Sequence, residues 1–172
     1  AHIPEDVPAF RLVDKLGDER ITDEKLQEAA TLALCWSRAW AGGGAHGTVY
    51  SVKPAQVSKT AQTGEFVGKG SFIVRGQRQW FKDLEVEMGI GIVAINGVPL
   101  LMGGLPDTIR SLCQRFAILR PGLVKKEQLA NRIYKNTGLM TDDVLAVLPG
   151  AAEIIEDYGI FSPVKSVTSE EE

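Results

Sequence analysis

The spacing of the apolar residues changes at the glycine run 42–44, and this change limits the folds open to the chain. Before the glycines, apolar residues from Leu26 to Trp40 recur at helical spacing, and Thr22 is placed to cap the helix. After them come short segments with strand-like alternation. Asn96 and Gly97, flanked by apolar residues, predict a tight hairpin because both tolerate a positive φ. The pattern indicates the α+β class.

We therefore predict a long N-terminal helix packed on an antiparallel sheet, with a small helical C-terminal lobe. The predicted elements, in chain order, are a strand over 8–13, a helix over 22–40, a strand over 49–52, a polar loop over 55–70, a hairpin of strands 71–75 and 79–81, a strand over 84–94 and its partner over 98–102, a short helix over 108–114, a last strand over 116–119, helices from Val124 and from Thr141, and a final turn or short helix at Ile154. The predicted divisions are an α+β domain over 1–120, a helical extension over 121–160 and an acidic tail over 161–172.

Composition excludes several classes of protein. The chain has 172 residues, 44% hydrophobic and 24% charged, which is enough to bury a core without disulfides. No apolar run reaches the roughly 18 residues of a membrane span, and no secretory leader opens the sequence. We expect a cytoplasmic protein with no membrane partner. Cys35 and Cys113 are expected to be reduced core thiols, and with His2 and His46 they are too dispersed for a metal site.

No motif of a catalytic site stands out. Residues 64–71 superficially resemble a phosphate-binding loop, but only three residues separate the first glycine from the Gly-Lys pair, and Gly70 separates Lys69 from Ser71. Glu85 and Glu87 lie two apart on a predicted strand and so share a face, which we expect to be solvated. His46 has no partner carboxylate in the sequence. We therefore expect no enzymatic activity and no cofactor, and an enzyme acting on RNA or a nucleotide is the weaker alternative.

The charge is sorted along the chain. The net charge is −3, yet residues 36–82 carry a net +6, residues 110–135 carry another +6, and the remainder carries −15. Two cationic stretches of this size are typical of a nucleic-acid-binding protein, provided that folding does not mix their charges with the acids. We expect the two stretches to lie on one surface. The expected partner is RNA, not DNA.

Segment 53–82 combines cations with hydroxyl groups, glycines and aromatic rings. Cations bind phosphates, while exposed rings can stack on bases. Trp80 could serve as a stacking ring or as a core residue. The candidate RNA contacts are Arg38, Lys53, Lys59, Lys69, Arg75, Arg78, Trp80, Lys125 and Lys126.

Several consecutive motifs resemble a known family. They are Ser37-Arg38-Ala39-Trp40, Tyr50-Ser51-Val52-Lys53-Pro54, Gln56-Val57-Ser58-Lys59-Thr60-Ala61, Thr63-Gly64-Glu65-Phe66, and the run from Gly70 to Trp80. Together they resemble the C-terminal R (RNA-binding) domain of the NFACT family of ribosome-associated quality-control proteins, of the NEMF/RqcH type. The similarity extends over most of the chain, from about residue 1 to residue 155, and its later part looks archaeal.

The resemblance implies an RNA-binding module that binds ribosomal RNA or tRNA on stalled large ribosomal subunits. The family's N-terminal domain, helix-hairpin-helix segment and coiled coil are not found in this sequence, so elongation of nascent chains is not expected of this chain alone. The alternative is a protein-interaction domain that docks on a ribosomal protein without RNA contact. Trp36, Trp40 or Trp80 would then be its anchor.

Overall fold

The computed structural model describes residues 2–3, 22–60, 64, 66, 68 and 71–163, which form parts of two compact units, residues 1–86 and 87–172. Both units combine helices with antiparallel strands, so the predicted α+β class is confirmed. Within the described ranges, no helix has the length and apolarity needed to cross a lipid bilayer. The predicted strand over 8–13 lies outside the described residues.

The first unit contains two small sheets and two helices. Its elements are β1 (His2–Ile3), α1 (Asp23–Cys35), α2 (Arg38–Ala41), β2 (His46–Ser51), a 3-10 turn (Pro54–Gln56), β3 (Val57–Ser58), β4 (Phe72–Val74) and β5 (Gln79–Glu85). One sheet has the order β1-β4-β3, and the other consists of β2 and β5. All pairs are antiparallel.

The N-terminal helix is shorter than predicted. The Thr22 hydroxyl caps α1 as expected, accepting a hydrogen bond from the Lys25 N–H at 3.3 Å. The helix then ends at Cys35 instead of continuing to Trp40. Ser37 interrupts it, because its hydroxyl accepts from the Ala39 N–H at 3.1 Å and donates to the Leu34 carbonyl at 2.7 Å. A serine that bonds the backbone in this way starts a new helix, here α2.

Strand pairing in the first unit also differs from the prediction. The strands expected to form a hairpin, β4 and β5, belong to different sheets: β4 pairs with β3 and β1, and β5 pairs with β2. The predicted hairpin is therefore wrong. The predicted loop over 55–70 contains the 3-10 turn and β3. The predicted continuous strand over 84–94 is also wrong, because β5 ends at Glu85 and the next strand begins at Met88.

The second unit is built on one four-stranded antiparallel sheet. Its elements are β6 (Met88–Ile95), β7 (Val98–Gly104), α3 (Pro106–Leu112), β8 (Arg115–Val124), α4 (Lys126–Thr137), α5 (Thr141–Val147) and β9 (Ala152–Tyr158). The strand order is β7-β6-β8-β9. Asn96 and Gly97 have φ angles of 52° and 78°, so the predicted hairpin between β6 and β7 is confirmed.

Helices cover the two faces of this sheet. On one face α3 packs directly on the backbone of β6, where a Cβ added at Gly91 would lie 2.4 Å from the Cys113 Sγ. On the other face, a Cβ at Gly103 would meet both Met88 and Val147 of α5. The fully buried side chains include Ile90, Ile109, Ile118, Leu129, Ile133 and Val144.

The C-terminal part of this unit is less helical than predicted. The expected turn or short helix at Ile154 is wrong, because Ile154 lies in β9 and pairs with Leu119 of β8. Strand β8 is consequently not the last strand. The division at residue 120 stays a prediction, and that residue lies within β8. Most of the predicted acidic tail, residues 164–172, lies outside the described residues.

Candidate nucleic-acid interface

Gln56 holds together two segments that contribute candidate RNA contacts. Its side-chain oxygen accepts from the Lys53 N–H at 2.9 Å, while its Nε2 donates to the carbonyls of Arg75 at 2.8 Å and Gln77 at 2.6 Å. The backbone adds a bond from the Arg75 N–H to the Gln56 carbonyl at 2.9 Å. These bonds hold the chain between β4 and β5 against the 3-10 turn. Lys53 and Arg75 are thereby brought to the same region of the first unit.

A cationic and aromatic cluster lies on the sheet of β2 and β5. Tyr50 and Trp80 are cross-strand partners, and their rings meet edge to face with centroids 5.1 Å apart. The guanidinium of Arg78 lies over the Tyr50 ring, 5.1 Å from its centroid. Trp80 remains 51% exposed. We refer to Tyr50, Arg78 and Trp80 as the aromatic cluster.

Within the aromatic cluster, Arg78 still has hydrogen-bonding capacity for a ligand. Its Nε is shielded from solvent and has no hydrogen-bond partner among the described residues. Arg78 contacts Tyr50 through its guanidinium, which lies over the ring. A guanidinium that stacks on a ring with one side keeps its terminal N–H groups for phosphate or base oxygens.

Lys59 lies close to a second ring. Its ammonium is 4.9 Å from the centroid of Phe72 in β4. The Ser58 hydroxyl accepts from the Thr60 N–H at 3.0 Å and shapes the turn around this lysine. No carboxylate among the described residues forms an ion pair with Lys59, Lys53 or Arg78. The charges of these three residues therefore stay available for phosphates.

The other candidates of the first unit have different surroundings. Arg38 is exposed at the start of α2, and both Arg38 and Arg75 have partners within the protein. Lys69 lies outside the described residues. Phe66 is 85% exposed, so an additional ring is accessible between β3 and β4.

The second cationic stretch is partly neutralised within its own unit. Arg110 forms ion pairs with Glu156 at 2.6 Å and Asp107 at 2.8 Å, and its hydrogen bond to Glu156 is the main reason that its pKa is raised. Arg120 pairs with Glu153 at 3.1 Å. Lys125 is exposed and Lys126 half-buried at the start of α4. Since the two stretches belong to separate units, their union on one surface stays a prediction.

The structure offers little support for a catalytic or metal site. Over the described ranges, no three His, Cys, Asp or Glu side chains are grouped so as to hold a metal ion. Cys35 and Cys113 are buried in the core, as predicted, and burial raises the pKa of Cys113. A raised pKa makes a thiol less reactive at neutral pH.

Sequence reasoning missed two residues of this region. Tyr50 appears in the family motif, but only its register opposite Trp80 shows that the two rings meet. Gln56 also appears in a family motif, but the sequence does not show its contacts, because Arg75 and Gln77 lie about twenty residues away. Among the proposed tryptophan anchors, Trp40 is 3% exposed and is therefore a core residue, whereas Trp36 is 37% exposed.

Comparison with known proteins identifies the first unit. Residues 8–76 match the family described as NFACT protein RNA binding domain. The chain contains the R domain of the NFACT family. The match includes Tyr50, Gln56 and Lys59, and it ends at residue 76, before Gln77, Arg78 and Trp80. The resemblance inferred from the sequence motifs is therefore confirmed.

Individual proteins similar to this chain extend the similarity beyond the R domain. The archaeal Rqc2 homolog aRqcH of Methanocaldococcus jannaschii is 32% identical over 151 residues, which cover 86% of this chain and 22% of that protein. The ribosome quality control complex subunit NEMF of Homo sapiens is 39% identical over 75 residues, 44% of this chain and 7% of that protein. The chain thus spans less than a quarter of the length of these relatives. No solved structure matches it.

Proposed function

We propose that this NFACT R domain is a non-enzymatic RNA-binding module, and that its RNA is ribosomal RNA or tRNA on stalled large ribosomal subunits. The observation that supports this proposal most directly is the aromatic cluster, in which the half-exposed Trp80 of β5 and Arg78, just before β5, both contact the Tyr50 ring. A cytoplasmic factor with this activity would work beside ribosomes.

The chemistry of the cluster suits unpaired RNA bases better than a duplex. An exposed aromatic ring stacks on any base that is not already stacked in a helix, and alanine substitution of such a ring costs about 1–3 kcal/mol per base. Lys53 and Lys59, which lack carboxylate partners among the described residues, would neutralise the neighbouring phosphates. A single-stranded loop or the end of a tRNA presents both features together.

The relatives support the ribosomal part of the proposal. The human and Schizosaccharomyces pombe proteins are named as subunits of the ribosome quality control complex. Ribosomal RNA and tRNA are the RNAs that a protein in such a complex would meet. The stalled large subunit is therefore our proposed partner for this chain.

The experiment is a binding titration of the 172-residue chain with fluorescein-labelled RNA, once with a single-stranded oligonucleotide and once with tRNA. We expect Trp80→Ala and Arg78→Ala each to weaken binding roughly tenfold, because stacking and guanidinium contacts are worth about 1–3 kcal/mol each. Arg120→Ala is the matched control, since Arg120 is an exposed arginine already paired with Glu153. Wild-type affinity in both cluster variants would contradict the proposal.

A second measurement separates RNA binding from docking on a ribosomal protein. Large ribosomal subunits are incubated with the chain, treated with RNase and sedimented. Loss of the chain from the pellet after treatment supports RNA contact. Retention, combined with loss of binding in Trp36→Ala, would favour the protein-docking alternative.

A further inference from the structure

The hairpin of β6 and β7 exposes an unusual amount of apolar surface. No charged residue occurs over 88–106, the nineteen positions that include both strands. Near the turn, Ile95 and Val98 are each 55% exposed and Leu100 is 43% exposed. These three side chains lie on the same face of the hairpin, because Ile95 pairs with Val98 and Leu100 lies two positions further along β7. The hairpin therefore combines exposed apolar side chains with a sequence free of charge.

The two edges of the sheet are protected to different degrees. The edge strand β9 carries Glu153, Glu156 and Asp157, and its pairing with β8 has two irregularities in register. Both features discourage pairing with another strand. The opposite edge, β7, has no charge, and its register with β6 is continuous over seven pairs. On β7 only Pro99 hinders pairing with another strand, because it has no backbone N–H.

The hairpin register shows which backbone groups of β7 face the open edge. In a two-residue hairpin the residues flanking the turn, here Ile95 and Val98, bond each other, so alternate residues beyond them point away from β6. The outward groups of β7 are then those of Pro99, Leu101 and Gly103. Leu101 and Gly103 present both an N–H and a carbonyl, whereas Pro99 presents a carbonyl only.

We propose that β7 pairs with β7 of a second copy of this chain, antiparallel and centred on Leu101, so that the two four-stranded sheets join into one of eight strands. In this register each Leu101 N–H donates to the carbonyl of the other Leu101, and each Gly103 N–H donates to the other Pro99 carbonyl. Because Pro99 has no backbone N–H, the bond from residue 99 to the Gly103 carbonyl of the second copy cannot form. Leu100 of one copy lies beside Met102 of the other.

The absence of charge on β7 favours a second copy as the occupant. In a two-fold interface every residue near the axis faces its own equivalent, so a charged residue there would be repelled by its like. The stretch 88–106 contains none. A different partner selected by charge would find no group to recognise on this strand. Pairing one strand of each copy buries on the order of a few hundred Å² per copy, below the roughly 800 Å² of a standard interface, so we expect a reversible dimer in the micromolar range.

Sedimentation equilibrium of the 172-residue chain over about 1–100 µM tests the proposal. We expect a monomer–dimer equilibrium that is weakened at least tenfold by Leu100→Lys and by Leu100→Glu, since each places like charges close to the two-fold axis. Leu123→Lys is the matched control, because Leu123 is 98% exposed on β8, outside the hairpin. Circular dichroism verifies that each variant is folded. A chain that is monomeric throughout, or hairpin variants that dimerise like wild type, would overturn the proposal.

Amide hydrogen exchange of the wild-type chain distinguishes edge pairing from a contact through side chains alone. The Leu101 and Gly103 amides are expected to exchange more slowly at 100 µM than at 1 µM, because they form hydrogen bonds only in the proposed dimer. The decrease in exchange rate should follow the increase in the fraction of dimer between the two concentrations. The Leu100 amide bonds β6 in either state and serves as the internal reference. Dimerisation without slower exchange at Leu101 and Gly103 would also overturn the proposed pairing.

Discussion

Gln56 is the residue on which the arrangement of the candidate interface most depends. Its side chain bonds the backbone on both sides of the gap between the 3-10 turn and the segment after β4. A glutamine can do this because its amide both accepts and donates. Gly76 permits the close approach, since it has a φ of 81° and a Cβ there would lie 3.1 Å from the Gln56 Nε2.

We expect Gln56→Glu to lower the free energy of unfolding by about 1–3 kcal/mol, because a carboxylate cannot donate to the Arg75 and Gln77 carbonyls. Tryptophan fluorescence during urea denaturation measures the effect, and all three tryptophans lie in the first unit. Gln77→Glu introduces the same charge at an exposed glutamine and should change stability by less than about 0.5 kcal/mol. Equal effects of the two substitutions would mean that added charge, not the lost donor, is responsible.

At the scale of elements, the close contact between α3 and β6 organises the second unit. Gly89 and Gly91 face α3, and a Cβ at either position would lie within 3 Å of side-chain atoms of Ile109 or Cys113. Ile109 of α3 and Cys113, which directly follows α3, are both buried. The glycines in the apolar β6 sequence therefore mark the place where a helix lies directly on a strand.

Gly91→Ala is expected to lower the free energy of unfolding by about 1–3 kcal/mol, because the added methyl group would overlap the Cys113 Sγ and the core must shift to accommodate it. Far-UV circular dichroism in urea gives the measurement, since the second unit has no tryptophan. Gly44→Ala is a suitable control, as the nearest atom to its Cβ would be the His46 carbonyl oxygen at an ordinary 3.6 Å. A neutral Gly91→Ala would show that α3 lies farther from β6 than the structure indicates.

At the scale of the whole molecule, the two cationic stretches have different surroundings. In the first unit, Lys53, Lys59 and Arg78 have no carboxylate partner among the described residues. In the second, Arg110 and Arg120 form ion pairs, while Lys125 and Lys126 stay accessible at the start of α4. We therefore predict that most of the salt dependence of RNA binding originates in the first unit.

If six to eight phosphates of a single strand are neutralised, affinity for RNA should fall by roughly two and a half to three and a half decades between about 50 and 200 mM salt. Lys59→Ala combined with Arg78→Ala should reduce the slope of log affinity against log salt by about 1.4, and Lys125→Ala combined with Lys126→Ala by about 1.4 if both contact phosphates of a single strand. Arg110→Ala should leave the slope unchanged because its charge is already paired. Affinity that is independent of salt would contradict the electrostatic account.

Features that depend on neighbouring residues could be predicted from the sequence. The Thr22 cap, the Asn96–Gly97 turn, the α+β class and the NFACT motifs all rest on spacings of a few residues, and each is confirmed. The position of the charges along the chain was equally plain. The ion pairs between these charges could not be predicted, because their members are distant in the sequence: Arg110 and Glu156 are 46 residues apart.

The contacts between distant segments could not be predicted from the sequence. Strand β4 was expected to pair with β5, and Ile154 to lie in a helical turn, but strand partners are selected by long-range backbone bonds and burial that local periodicity does not encode. The same reason applies to the aromatic cluster and to the Gln56 contacts. Both the aromatic cluster and the Gln56 contacts join residues from segments that are distant in the sequence. The spacing of residues within one segment does not indicate which other segment it will contact.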